Sequence, residues 1–345
     1  MSTLDSTPAR PEGAPAVESP RGSLQAMATR AARDTPLVQV VVLVAMFVYG
    51  AVTLDGFSSL TSVKSMLLLS SFLGVAALGQ TVLVLIGHLD LSVPGFIGFG
   101  NVLMAILFGQ DHWPFIATMA LIVAGSALMG GLNGVICHRL KVQSIVVTLG
   151  MNFVMLGIIG VIAANGITGN GPAWLTRFAT VSSPTLGVGV PPLVTLWVVI
   201  ALIAGFVLRR TLAGRRVYLT GANPKAAELA LVRTGHVVVA SFALSAVGAA
   251  VTGVLLTGFS GSGNVDIGTP YLFTSLTAVI VGGTSIMGAR GDYWRTVIGA
   301  IMLTVINTVL LAKGYSNAEQ QILFGIIILV AVLAYGREPR LRDRI

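Results

Sequence analysis

Few residues of this chain could do chemistry, and their surroundings are apolar. Asp90 is the one acid near the interior of an apolar run, in GHLDLSVPG at 87–95. Gly87, Pro94 and Gly95 bracket it, so a helix is expected to break there. A break frees backbone groups, and Asp90 with Ser92 could satisfy them by capping the next helix. Asp90 could instead touch a solute directly. A proton relay has no partner base in sight. A second glycine-rich interruption, GGTSIMGARG at 282–291, carries Thr284 and Ser285. Elsewhere the apolar runs hold only neutral polar side chains: Gln80, Asn101, Asn133, Thr148, Asn152 and Asn307. Singly, each is explained by a hydrogen bond to a neighbouring helix. As a set they offer the uncharged donors and acceptors that a path for a neutral polyhydroxyl solute needs.

Enzyme machinery is missing from the sequence. It has no G-x-x-x-x-G-K-[ST] phosphate loop and no G-x-S-x-G elbow. His88, His112, His138 and His236 are scattered, and no Cys/His group has metal-ligand spacing. No cofactor or metal is therefore expected on this chain. Energy must come from another chain or from an ion gradient. Ion-driven carriers keep ionisable residues within their spans, and these spans are almost charge-free.

Composition says what must position those residues. The chain is 54% hydrophobic and 10% charged, where soluble domains run near 25% charged. Glycine supplies 41 of 345 residues, which suits helices that approach closely in a membrane. The expected fold is therefore an all-α polytopic membrane protein with broken helices and an internal repeat. Ten spans are expected, near 37–54, 64–86, 93–108, 114–137, 145–163, 193–208, 236–256, 272–284, 294–311 and 319–336; eight would suit the charges nearly as well. Residues 1–36, rich in Pro, Ser, Ala and Arg, read as a disordered tail, with 37–336 as the membrane domain and 337–345 as a second tail. With the N-terminus inside, 18 of the 21 Lys and Arg residues fall on the inner side, which supports an even span number and cytoplasmic termini. That distribution, in short loops, also excludes nucleic-acid binding despite the net charge of +8. The outer loop 164–192, with GITGNGPAW, reads as a plain connector or as part of an external mouth. Cys137 cannot form an internal disulfide and reads as a packing residue.

One polar segment stands out, GANPKAAELALVRTG at 221–235. Asn223 is a good N-cap, Pro224 suits the first helical position, and Gly235 offers a stop. The helix this predicts, over about 223–231, is too short to be stable in water alone and too polar to span a bilayer. It needs a docking surface.

Four segments, in order, resemble the ribose-type sugar permeases, the membrane subunits of ATP-binding cassette importers within the wider branched-chain amino acid/ribose permease superfamily. They are GQTVLVLIGHLDLSVPG, NGVICHRLKVQSIVVTLG, GANPKAAELALVRTG and TAVIVGGTSIMGARGDYWRTVIGA, and the likeness runs from about 60 to 336. The resemblance implies a subunit of the bacterial inner membrane without its own ATPase site. It implies a cytoplasmic ATPase that binds ATP and Mg, a periplasmic solute-binding protein, and a second permease copy, identical or paralogous. It also implies that the short helix docks on the ATPase through Asn223, Pro224, Ala226, Ala227, Glu228, Leu229 and Leu231. A sugar is the expected solute, with a nucleoside or an amino acid as the alternative. The sequence departs from the family pattern where His88, Pro94, Leu231 and Ala289 replace glycines and where 141–144 lacks a proline.

Overall fold

The computed structural model describes residues 37–185 and 189–336, so both expected tails lie outside the described residues. The compact unit that holds the fold begins at Gln39. Each of the ten expected spans contains a helix: α1 (Leu37–Thr53), α2 (Leu60–Leu85), α3 (Val93–Leu103, continued by a π-helix over Met104–Gln110), α4 (Phe115–Leu140), α5 (Ser144–Ile162), α7 (Pro192–Arg210), α10 (Thr234–Ser260), α11 (Tyr271–Val281), α12 (Tyr293–Ala312) and α13 (Asn317–Gly336). Three short helices complete the set: α6 (Ala173–Phe178), α8 (Leu212–Ala222) and α9 (Pro224–Leu229). Seven of the helices are long and apolar enough to cross a membrane, while Leu37–Thr53 and Tyr271–Val281 are shorter apolar helices. The second span starts earlier than expected, at Leu60, because the Ser59 hydroxyl accepts the Ser62 N–H and caps it.

Helix α10 is the hub, packing against α2, α3 and α4. Small residues permit this. A Cβ on Gly79 of α2 would lie 2.1 Å from Ser245 Cα. One on Gly100 of α3 would lie 1.9 Å from the Ala250 carbonyl, and one on Gly130 of α4 would lie 2.4 Å from Ala246 Cβ. In the reverse direction, one on Gly253 of α10 would lie 1.9 Å from the Ile97 carbonyl. Helices in lipid gain nothing from apolar burial against each other, so contact at this range is what holds them. A second node joins α2, α7 and α12. Tyr293 Oη donates to the Gly74 carbonyl at 2.7 Å and accepts from Trp197 Nε1 at 3.1 Å.

Two long helices are each followed by a break and a further helix. Helix α2 has 26 residues and is followed by the break 86–92 and the eleven-residue stretch Val93–Leu103. Helix α10 has 27 residues and is followed by 261–270 and the eleven-residue α11. Residues 263–268 run back along α3: Gly263 sits against Ala105, Val265 against Gly98 and Gly268 against Pro94.

These contacts predict unequal responses to adding one methyl group. Gly253→Ala forces α10 away from α3, an overpacking cost of about 1–3 kcal/mol. Gly150 in α5 has nothing within 4 Å of its Cβ position. Gly150→Ala should therefore match wild type, or gain slightly from helix propensity. Monodisperse yield and melting temperature in detergent measure both variants.

Candidate functional site

The first break depends on a ladder of three side chains. Residues 86–92 leave helical geometry, and their N–H groups need acceptors where water is scarce. Helix α5 supplies them. Ser144 Oγ accepts from the Leu89 N–H at 3.1 Å, Thr148 Oγ1 from Leu91 at 3.0 Å, and Asn152 Oδ1 from Gly95 at 2.9 Å. The registers agree for a simple reason. Leu89 and Leu91 are two residues apart, which on an extended chain is about 6.6 Å, and Gly95 follows in the first turn of α3. Residues four apart on a helix lie on one face with a rise of about 6 Å. The S-x-x-x-T-x-x-x-N spacing at 144, 148 and 152 carried this signal, and only Thr148 and Asn152 were singled out from sequence.

Asp90 meets its expected role in part. Its Oδ1 accepts the Ser92 N–H at 2.8 Å and also the Ser92 hydroxyl. Ser92 stands at the N-cap of α3 but makes no side-chain cap bond. Its hydroxyl is committed to Asp90, and the N-terminal Gly95 N–H is capped by Asn152 instead. Asn133 of α4 donates to Ser92 Oγ at 3.3 Å. Ser245 of α10 lies beside the carboxylate without meeting hydrogen-bond geometry. Asp90 is 1% exposed, and Ser92 and Asn133 are fully buried.

The other neutral polar residues do not gather into one lining. Asn101 clamps α3 to α10, donating to Thr257 Oγ1 at 2.8 Å while its Oδ1 accepts the Asn264 N–H at 2.7 Å. Gln80 is buried on α2, and neither of its amide atoms has a partner. Thr284 is buried in the second break with its hydroxyl unpartnered, and Ser285 beside it is half-buried. Asn307 is half-buried on α12 with its Oδ1 unpartnered.

The second break ties the bundle to the short helix. Gly283, Gly288 and Gly291 have φ of +99°, +85° and +134°, and Ala289 has +59°. The Ala289 N–H donates to the Leu85 carbonyl at 2.8 Å, so the end of α2 meets the second break directly. Gly221, at the end of α8, fills the same point, where an added Cβ would lie 1.9 Å from Leu85 O. Tyr218 of α8 donates to the Gly291 carbonyl at 2.7 Å. Burial first, then the nearby Asp292 carboxylate, raises the Tyr218 hydroxyl pKa, which keeps it a donor. Asp292 accepts the Arg295 N–H as N-cap of α12 and pairs with Arg209 at the end of α7. None of Arg209, Tyr218 or Asp292 was singled out from sequence, because nothing local marks their convergence.

Helix α9 follows at once. Asn223 Oδ1 accepts from Lys225 and Ala226 at 3.1 and 3.2 Å, the expected N-cap. The helix is shorter than expected, Pro224–Leu229, and its stop is Leu231 rather than Gly235. The Val232 N–H reaches Ala227 O and the Leu231 N–H reaches Glu228 O, both at 2.9 Å. That is a Schellman closure, with Leu231 at φ +61° in the position that favours glycine. Gly235 lies inside α10, against His138. Glu228 accepts from Thr234 Oγ1 at 2.7 Å. Ala227 is 2% exposed, so it seats α9 on its own chain and is not free for a partner. Leu229 and Leu231 are 87% and 91% exposed.

Comparison with known proteins decides the family. Residues 62–332 match the family described as branched-chain amino acid transport system / permease component. The chain belongs to this permease family. It is 32% identical to the probable ABC transporter permease protein YphD of Escherichia coli (strain K12), over 85% of this chain and 87% of that one. It is 30% identical to the ribose import permease protein RbsC of Haemophilus influenzae, over 81% and 86%. It is also 30% identical to the autoinducer 2 import system permease protein LsrD of Escherichia coli (strain K12), over 76% and 79%. No solved structure matches. As a permease component the chain is a multi-pass membrane protein and not an enzyme by itself. Permeases of such importers work with an ATPase and a substrate-binding protein.

The ladder predicts an ordered mutational response. Asn152→Leu leaves the Gly95 N–H unpaired, at several kcal/mol in an apolar setting. Asp90→Leu does the same to Ser92. Asp90→Asn keeps an acceptor oxygen and should fold far better than Asp90→Leu. Fluorescence-detected size exclusion of the three variants gives the order: Asp90→Asn near wild type, both leucine variants poorly folded.

Proposed function

We propose that this chain is the membrane-spanning subunit of an ATP-binding cassette importer in the bacterial inner membrane, with both termini cytoplasmic. A periplasmic binding protein delivers a neutral, sugar-like solute. A separate cytoplasmic ATPase, holding ATP and Mg, drives its passage, and a second permease copy, identical or paralogous, completes the path. The relatives named above as import permeases support the activity. The neutral polar residues of the spans support an uncharged solute, and the excess of Arg and Lys on the side of α9 supports the orientation.

The observation that carries the reading is the split surface of α9. Ala227 is buried in the chain, while Leu229 and Leu231 present apolar surface to the outside of the fold. A six-residue helix does not hold itself in water. Here it is pinned at both ends, by Asn223 and by the Schellman closure, and so kept ready for contact. Burying the leucines in an ATPase groove gains about 25 cal/mol per Å². Force on α9 then reaches both helix breaks within a few residues, because Gly221, Leu85 and Ala289 meet at one point. Asp90, Ser92, Asn133 and Asn152 sit at the first break and Thr284 and Ser285 in the second, while Gln80, Asn101 and Asn307 lie within helices α2, α3 and α12. In this reading they line the path when it opens.

Leu229→Arg tests the coupling. The residue is exposed, so the variant should insert and fold as wild type does. With the ATPase subunit, substrate-stimulated ATP hydrolysis should fall at least about tenfold, the loss of about 1.4 kcal/mol or more of docking energy. ATP turnover by this chain alone, or full stimulation in the variant, contradicts the reading.

A further inference from the structure

The far end of α3, away from the break, carries features that the coupling does not use. The helix finishes as a seven-residue π-helix, Met104–Gln110. Such segments are rare and concentrate at functional sites. The Asp111 N–H reaches back to Ile106 O at 2.8 Å and the Trp113 N–H to Leu107 O at 2.7 Å, so the chain curls tightly over its own end. Between them His112 has φ +56°, a left-handed backbone on a non-glycine residue. That conformation costs free energy and clusters at binding sites.

The curl faces a glycine loop. A Cβ on Gly169 would lie 2.0 Å from the Ala105 carbonyl, and one on Gly109 would lie 2.4 Å from Asn170 N. Only glycines permit that approach. Gln110 Oε1 accepts from Thr168 Oγ1 at 3.3 Å and ties the rim. The Asn170 amide, with its nitrogen assigned toward the Gly169 and Gly261 carbonyls, is fixed in the same wall. Together these elements border an open hollow of about 350 Å³, within the range of small-ligand sites. Phe108, His112, Trp113, Thr168 and Asn170 line it. Trp113 is 44% exposed there.

We propose that this pocket is a contact site for a neutral monosaccharide-like solute at the outer mouth of the permease. This rests on the importer reading above and gives its solute a place on this chain. The lining gives an indole face for the apolar face of a sugar ring, and a hydroxyl, an amide and an imidazole for its hydroxyls. No Asp, Glu, Lys or Arg lines it. An amino acid would find no ionic partner there for its ammonium or carboxylate, whereas a sugar's hydroxyls need none. Trp174 has the simpler role of an interfacial anchor, packed edge-on against Phe115 at 5.0 Å and half exposed. Trp113 differs because it faces a concave, polar wall.

Saturation-transfer NMR on the full chain in lipid nanodiscs tests this, with D-ribose and D-galactose as probes and L-leucine as the comparison. At least one sugar should receive saturation and leucine should not. Trp113→Ala and Asn170→Ala should each weaken binding about tenfold, the equivalent of about 1.4 kcal/mol. Trp113→Tyr, which keeps an aromatic face, should retain it. Three results overturn the proposal: no sugar signal, sugar signals unchanged in both alanine variants, or saturation of leucine alone. ATP-driven sugar uptake by the reconstituted importer separates the two readings. Uptake that persists without any pocket signal removes the pocket and leaves the importer standing. Leucine uptake with leucine saturation removes both solute assignments.

Discussion

A backbone N–H surrounded by apolar side chains must find an acceptor inside the protein, and residues 86–92 are where this chain meets that demand. The break could not exist without α5, whose Ser144, Thr148 and Asn152 take the N–H groups of Leu89, Leu91 and Gly95. That pairing fixes where α3 begins and therefore where its whole length lies against α10. It also draws Asp90 and Ser92 inward, to a point shared with Asn133. Irregular backbone at this depth is a liability unless fully satisfied. Its retention here points to a use for a helix that is already broken.

The second break shows what that use is. It is built on different chemistry, with left-handed glycines and Ala289 in place of a side-chain ladder. It touches the end of α2 through Ala289 and Leu85, and it touches α8 through Tyr218 and Gly291. The Arg209–Asp292 pair then joins α7 to the start of α12. In the proposed mechanism a displacement of α9 reaches both breaks through these contacts. Leu231 and Ala289 each adopt a backbone that glycine would hold at less cost. In the proposed mechanism that strain sits at the two ends of the transmission, where a small push changes conformation most.

Much of this was legible in the sequence, for physical reasons. Apolar length marked every one of the ten helical spans. Glycine and proline marked both breaks, and Asn223–Pro224 marked the start of α9. What sequence could not show was which partner answers each freed backbone group. Asn152 reads as any polar residue in a span until the fold puts its oxygen on Gly95. Gly235 looked like a stop because it is the nearest glycine, whereas the Schellman bonds stop the helix at Leu231. Ala227 looked like part of a docking face because alanine is small and apolar, yet it is the residue the chain buries. Arg209 and Tyr218, on consecutive helices, meet Asp292 from more than seventy residues further along the chain.

The account stands or falls on whether α9 meets an ATPase. Cys137 is the only cysteine and is buried, so a Cys137→Ala background carrying Leu229→Cys offers one exposed thiol. A short bifunctional reagent, applied to membranes holding the full importer, should join this position to the ATPase subunit, with a yield that changes when ATP is added. Leu140→Cys, exposed at the end of α4, serves as the comparison at another helix end. A cross-link from Leu229 that exceeds the one from Leu140 and responds to ATP is the predicted result. No cross-link from Leu229, in an importer that still transports, would contradict the account.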